Sequence, residues 1–347
     1  MAVSVVLVVV IFVAVLPQIA DFDQVWQAIG AMTSIELATL GLAAAWNIAT
    51  SCFVQMASLP GLSLTRAMIV TQSSTAVANT VPVGGAVAIG VSANMLRSWG
   101  FRRSIVTLSL LIGGIWDNLA KLALPVAALT GLALEGEDSG PRVTAALFGV
   151  AILATAVVLF ALMLRSDRLA AQVGVVSGKA ASFVLRLFRR PPATGWEIAT
   201  TRFRSKAIGL LRTRWLALTA ATVASHLSLY LVLMLALRHV GLSEDDVGWA
   251  EVLGVFAFVR LLSAIPLTPG GLGVVELATT AGLVAAGGAR AEVVAGILVY
   301  RGLTYLVPIP LGIVTYLTWR RTLSRSRGPE RTIAVHGPHA FSPPNGD

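Results

Sequence analysis

The side chains able to carry chemistry in this sequence are few, and they sit where water is scarce. Asp117, Lys121, Arg260, Glu276 and Arg301 are ionisable residues set within long apolar runs. A charge inside a membrane span is costly and as a rule faces a cavity or a partner. Arg301 offers a planar fork that suits phosphate or carboxylate. It could instead pair with Glu276 or Asp117. Asp117 and Lys121 are four apart, share a helix face and can neutralise each other. Flanked by Trp116 and Asn118, Asp117 could equally line a polar cavity. Glu276 has three uses open to it: capping a helix N-terminus, pairing with Arg301, or touching a cationic headgroup.

The backbone around these residues is broken. Pro266-Leu267-Thr268-Pro269-Gly270-Gly271-Leu272-Gly273-Val274-Val275-Glu276 places two prolines and three glycines in an apolar region. Proline removes a backbone donor and glycine weakens a helix. Lipid cannot satisfy freed backbone groups, so such a break must be buried in protein or line a wet cavity. A weaker copy reads Asn79-Thr80-Val81-Pro82-Val83-Gly84-Gly85. Paired broken segments in corresponding halves point to a transporter's binding site. Freed N–H groups there could bind an anion. Gly84, Gly85, Gly270, Gly271 and Gly273 would allow close approach, beside Pro82 and Pro269, with Asn79 and Thr268 adding polar contacts. Asn47 and Gln55 read equally well as buried amides bonded to a neighbouring helix.

The elements that must position these groups follow from composition. The chain has 347 residues, 56% of them hydrophobic and only 12% charged, where a soluble domain carries about 25% charge. Mean hydropathy is +0.80. An all-α polytopic membrane protein is expected. Full spans need about 20 apolar residues, and the candidates are 3–20, 35–58, 105–133, 143–164, 215–238 and 292–319. Net charge is +9, and the segment 165–214 alone holds that excess. The positive-inside rule makes this segment a cytoplasmic loop and accounts for the basicity without nucleic acid. Both termini then lie in the cytoplasm. Arg66 and Arg97 also fall inside, yet the 30 residues 67–96 between them are too few for two crossings at about 20 each. That segment should re-enter from the cytoplasm, and 252–290 from the opposite side. The halves 1–134 and 143–320 then form an inverted-topology repeat with two re-entrant hairpins. Asp117 lies 35 residues after Pro82 and Arg301 lies 35 after Pro266, which supports the pairing. The single domain is expected to span 1–320, with 321–347 a disordered tail. No cleavable signal is expected in the first segment, which lacks a positive n-region and an A-x-A site.

Other chemistries find little footing. Cys52 is the only cysteine, so no intramolecular disulfide forms. No metal or cofactor site is expected: His336 and His339 read as solvated, and there is no His/Cys cluster and no G-x-S-x-G. Gly174 to Lys179 has the wrong spacing for a phosphate loop. His226 reads as a helix–helix hydrogen bond. Leu169, Val173, Val176, Phe183, Leu187 and Phe188 alternate with cations in the basic segment, which suits a helix lying on anionic inner-leaflet headgroups.

Ile265 to Glu276, followed by Arg301-Gly302-Leu303-Thr304-Tyr305-Leu306-Val307-Pro308 and Gly312, resembles the signature of the lysylphosphatidylglycerol synthase transmembrane family. This is also the flippase-like domain of the multiple peptide resistance factor. Pro82-Val83-Gly84-Gly85, Leu96-Arg97-Ser98-Trp99-Gly100 and Asp117 agree with its first half. Many members carry an acid where this chain has Gly85, a departure that bears on the substrate. The resemblance implies a protein of the bacterial plasma membrane that moves aminoacyl-phosphatidylglycerol, a related phospholipid or a lipid-linked sugar between leaflets. It implies a stand-alone member without the soluble synthase domain, and no enzyme of its own. Its partners would be membrane lipids and a separate lipid-modifying enzyme or a second copy of the chain. The rival is an integral-membrane enzyme or accessory subunit of glycolipid assembly.

Overall fold

The computed structural model describes residues 30–81, 83–134, 140–187, 195–264 and 268–326, besides Gln27 and Pro191. The expected span 3–20, Pro82, Pro266 and the tail beyond Ser326 lie outside the described residues. Every regular element among the described residues is a helix. In chain order these are α1 (Ser34–Ser58), α2 (Leu64–Thr80), α3 (Gly84–Ser98), α4 (Arg103–Leu134), α5 (Gly140–Arg165) and α6 (Asp167–Leu187). They continue with α7 (Trp196–His239), α8 (Trp249–Leu262), α9 (Val274–Ala285), α10 (Arg290–Arg301) and α11 (Pro308–Ser326). Five stretches are long and apolar enough to cross a membrane: Ser34–Ser58, Arg103–Leu132, Leu147–Arg165, Ile198–His239 and Arg290–Leu323. They coincide with five of the six expected spans.

Local chemistry sets the boundaries. Thr33 caps α1 with a full capping box to Glu36, and Ser63 accepts from the Arg66 N–H at the start of α2. These side chains satisfy donors that the first helical turn leaves open. Between α2 and α3 the chain turns through Val83, which holds φ +56 without being glycine. A Cβ on Gly84 would lie 2.4 Å from the Ala78 carbonyl oxygen. Glycine is therefore required at that turn. Gly85, expected to be equally constrained, has open space where its Cβ would be.

Within the basic segment 165–214 most of the described residues are helical, in keeping with the helix that its alternating apolar and cationic residues suggest. The segment forms α6 and the first part of α7, a helix of 44 residues that runs about 66 Å at 1.5 Å per residue. Charge ended the apolar run there, but Arg, Lys, Leu and Ala are good helix formers and carry the helix onward. Gly195, at φ +77, precedes α7. Arg204 on α7 donates to the Leu164 carbonyl at 2.8 Å and pairs with Asp167, so a cation closes the C-terminus of α5. The expected domain end at 320 also shifts, because α11 continues to Ser326.

The two halves are packed through each other. Asn47 on α1 donates to Ser228 Oγ on α7 at 2.9 Å, and Thr50 meets the same hydroxyl at 2.9 Å. Asn47 is thus the helix–helix amide of the two alternatives. Gln55 Nε2 is buried without a hydrogen-bond partner. On the other side α2 runs along α11. Ser73 meets Thr315 Oγ1 at 3.0 Å, and Gly312 lies at the crossing. A Cβ on Gly312 would fall 2.3 Å from Ala76 Cβ and 2.4 Å from the Gln72 carbonyl oxygen. Small residues that let backbones touch are how helices associate in lipid, where burial of apolar surface offers no drive.

Gly312→Leu should therefore unfold or separate α2 from α11, and Gly312→Ala should cost about 1–3 kcal/mol by overpacking. Gly90→Ala on α3, where nothing lies within 4 Å, should be neutral or slightly stabilising. Thermal unfolding in detergent micelles reads all three; equal melting temperatures for G312A and G90A would refute the tight crossing.

Candidate functional site

Arg301 ends α10, and its neighbourhood is shaped by the proline that follows. Pro308 has no N–H, and the chain before it widens into a π turn, Gly302–Leu306. The Val307 N–H reaches back to the Gly302 carbonyl at 3.0 Å. Such single wide turns are frequent at functional sites. Tyr305 lies in this turn and is 3% exposed.

The other wall comes from the second broken segment. Pro269–Gly271 forms one 3-10 turn with Pro269 at its start, and Gly270 sits at φ +57. Gly271 at φ +71 and Gly273 at φ +79 complete a run that side chains rarely adopt. Thr268 is spent inside the turn, donating to the Leu272 carbonyl at 2.8 Å. The Gly271 and Leu272 N–H groups are also spent there, on Thr268 and Pro269. These two donors therefore do not offer the anion contact that the tip was expected to provide. Glu276 is the third residue of α9 and is 5% exposed. A carboxylate is favoured at that end of a helix, but Glu276 makes no side-chain cap. It pairs instead.

One arginine joins these parts. Arg301 Nε donates to Glu276 Oε1 at 2.6 Å, and Nη2 donates to the Gly270 carbonyl at 3.1 Å. The guanidinium also lies 4.5 Å over the centre of the Tyr305 ring, a cation–π contact strengthened by desolvation. The first broken segment meets the same knot. Asn79 donates its amide to the Tyr305 carbonyl at 3.1 Å, and the Tyr305 hydroxyl donates to the Asn79 carbonyl. A Cβ on Gly270 would lie 2.4 Å from the Tyr305 ring and 3.0 Å from Asn79 Oδ1, so no other residue fits. Asn79, Pro269, Gly270, Glu276 and Arg301 are thus neighbours, although more than two hundred positions separate the first from the last.

Asp117 is placed apart from this knot. Its carboxylate pairs with Lys121 at 2.7 Å and with His226 Nε2 at 3.3 Å. Pairing of Arg301 with Asp117, one of the two expectations, does not occur; Glu276 holds that place. His226, read as a helix–helix hydrogen bond, makes that bond to Asp117. Trp116 donates to Thr219 Oγ1 at 2.9 Å, and Asn118 turns back to the Gly114 carbonyl at 2.8 Å.

Tyr305 was given no role from sequence. Its signal was available: it stands four residues after Arg301, where an aromatic ring on one helix face meets the guanidinium. Arg260 was noted only as a charge in a span. It lines a cavity of about 70 Å³ with Ser263, Gly270, Thr279, Tyr300 and Arg301. A second cavity of about 30 Å³, lined by Leu272, Glu276, Leu298, Arg301 and Tyr305, lies beside the same ion pair. Each has room for water but not for a lipid headgroup. Among the described residues no group of His, Cys, Asp and Glu is arranged to hold a metal.

Removing one partner of a buried ion pair strands the other, at about 3–5 kcal/mol, whereas an apolar pair of similar volume is often neutral. Glu276→Ala should lower the melting temperature sharply, and the double variant Glu276→Leu/Arg301→Met should recover most of it. Additive losses in the double variant, measured by thermal unfolding, would refute the direct coupling.

Comparison with curated proteins gives no match. The sequence model of the lysylphosphatidylglycerol synthase TM region matches residues 1–312, most of the chain. By that extent this chain belongs to the lysylphosphatidylglycerol synthase TM-region family, membrane proteins related to lipid handling.

Proposed function

We propose that this protein moves a phosphate-bearing lipid between membrane leaflets, an aminoacyl-phosphatidylglycerol, a related phospholipid or a lipid-linked sugar. The observation that carries the proposal is the buried Arg301–Glu276 pair, fastened to the carbonyl of a broken helix at Gly270 and, through Tyr305, to Asn79 of the other broken segment. A charged knot of this kind in an apolar protein is expensive. It has a use where broken segments part to admit a polar headgroup and close behind it. Glu276 Oε2 is buried without a hydrogen-bond partner, an acceptor suited to an ammonium or hydroxyl of such a headgroup. Arg301, tied to Glu276 and to the Gly270 carbonyl, would hold the broken segments in register around the headgroup. Asp117, held by Lys121 and His226, would balance charge at the flank.

Element lengths support two re-entrant hairpins in an inverted repeat. The helices α2, α3, α8 and α9 have 17, 15, 14 and 12 residues. At 1.5 Å per residue they reach about 18–26 Å, short of a hydrocarbon core of about 30 Å. The two cavities beside the Arg301–Glu276 pair admit only water, so transport in this scheme requires α8 and α9 to move away from Arg301. The basic face of α6 and the start of α7 would rest on anionic headgroups of the cytoplasmic leaflet, which orients both termini inward in the bacterial plasma membrane.

The test is a leaflet-resolved assay in proteoliposomes carrying fluorescent phosphatidylglycerol or its lysyl derivative. The Glu276→Leu/Arg301→Met variant, chosen because it should stay folded, is expected to lose lipid movement by at least about tenfold, the effect of losing one charged hydrogen bond. Movement at the wild-type rate in that variant would refute the role of the pair. Absence of movement of either lipid with wild-type protein would refute translocation of these cargos and favour a role in glycolipid assembly.

A further inference from the structure

The charges buried beside the broken segments do not cancel. Asp117 is met by Lys121 and His226, and Glu276 by Arg301. Arg260 makes no side-chain hydrogen bond and no ion pair among the described residues, and its Nε is buried without a partner. It lies within electrostatic range of Asp117 and Tyr300, but no carboxylate comes within ion-pairing distance of it. Arg260 is half-buried, and its Nε, withdrawn from solvent without a partner, costs stability with nothing in return.

The surroundings of Arg260 say what would repay that cost. It shares the cavity of about 70 Å³ with the guanidinium of Arg301 and the residues Ser263 and Thr279. Ser263 and Thr279 spend their hydroxyl protons on the Arg260 and Val275 carbonyls, so the pull on an oxyanion in this space comes from the two cations. Arg301 is already committed, through Nε to Glu276 and through Nη2 to Gly270. Arg260 has its fork to give. The outer face of the same helix is apolar: Phe258 and Leu261 flank Arg260 in sequence and are 64% and 36% exposed. On α9, Leu277 beside Glu276 is 65% exposed. Only one layer of helix therefore separates the cavity from the surface that faces acyl chains.

We infer that Arg260 is the principal phosphate contact of this protein and selects a lipid whose headgroup is net anionic, while Arg301 is a positioning residue that holds the broken segment through Glu276 and Gly270. One unmatched cation calls for one negative charge, as on the phosphodiester of phosphatidylglycerol. A zwitterionic headgroup brings its own cation and gains less. The inference deepens the translocation proposal and rests on it for taking the anion to be a lipid headgroup rather than free phosphate.

The experiment uses the full chain in phosphatidylcholine nanodiscs titrated with fluorescent phosphatidylglycerol, with inorganic phosphate as competitor, and the same variants in the leaflet assay. Arg260→Gln should weaken phosphatidylglycerol binding at least about tenfold, and Arg260→Lys should restore part of it, a point charge without the fork. Arg260→Met should leave the melting temperature unchanged or raise it, because it removes a half-buried charge that no ion pair offsets. A purely structural arginine would lower it. Unchanged phosphatidylglycerol affinity in R260Q, or a clear loss of melting temperature in R260M, overturns the assignment. Phosphate binding that depends on Arg260, without lipid binding, overturns the lipid source. Arg260-dependent lipid binding with no movement between leaflets leaves this site standing and removes translocation instead.

Discussion

A chain that breaks its own helices inside an apolar medium must find partners for the groups it frees, because lipid supplies none. That constraint organises this protein. Gly270 accepts from Arg301, Arg301 needs Glu276, and the ring under the guanidinium belongs to Tyr305, which in turn exchanges hydrogen bonds with Asn79. No member of this chain of contacts can be taken alone. The π turn before Pro308 sets Tyr305, and the left-handed backbone at Gly270 leaves room for its ring.

The scaffold serves the same constraint. Between helices in lipid there is no hydrophobic drive, so close backbone approach and shared hydroxyls replace it. Gly312 against α2 is one such place, and Gly296 is another, where a Cβ would meet Leu237 Cδ2 at 2.7 Å. Asn47, Thr50 and Ser228 supply the polar counterpart between α1 and α7. Gly312 against α2 and Asn47 with Ser228 each join a helix from the first part of the chain to one from the last part, while Gly296 against Leu237 joins α10 to α7. The broken segments are thereby kept face to face by long-range packing and not by their own short helices.

Charge is distributed in layers of decreasing commitment. Lys121 is engaged by Asp117 and Glu276 through one oxygen by Arg301, Asp117 is shared between Lys121 and His226, and Arg260 is left with a cavity. The family to which the chain belongs relates it to lipid handling. The arrangement adds a physical reason why an anionic group would be drawn to one place in an otherwise apolar protein.

Much of this was legible in the residues themselves. Composition named a polytopic helical membrane protein, and apolar length located five stretches that the structure also finds long enough to span. Pro-Gly-Gly patterns marked both broken segments, because proline and glycine act through the local backbone. Burial cost alone singled out Asp117, Glu276, Arg260 and Arg301. Local rules set the start of the span at 215 too late, because charge ended the apolar run but not the helix, which begins at Trp196. They also could not distinguish Gly84 from Gly85, since only the fold brings the Ala78 carbonyl against one of them. Which charge meets which was decided by tertiary structure alone. Ion pairing depends on distances of a few ångströms between helices far apart in sequence, and no periodicity encodes those. The sequence therefore determined that costly charges and broken backbone exist in this protein; the packing of α2, α8, α9 and α10 decided that Arg301 is paired, Asn79 is bonded and Arg260 has no ion-pair partner among the described residues.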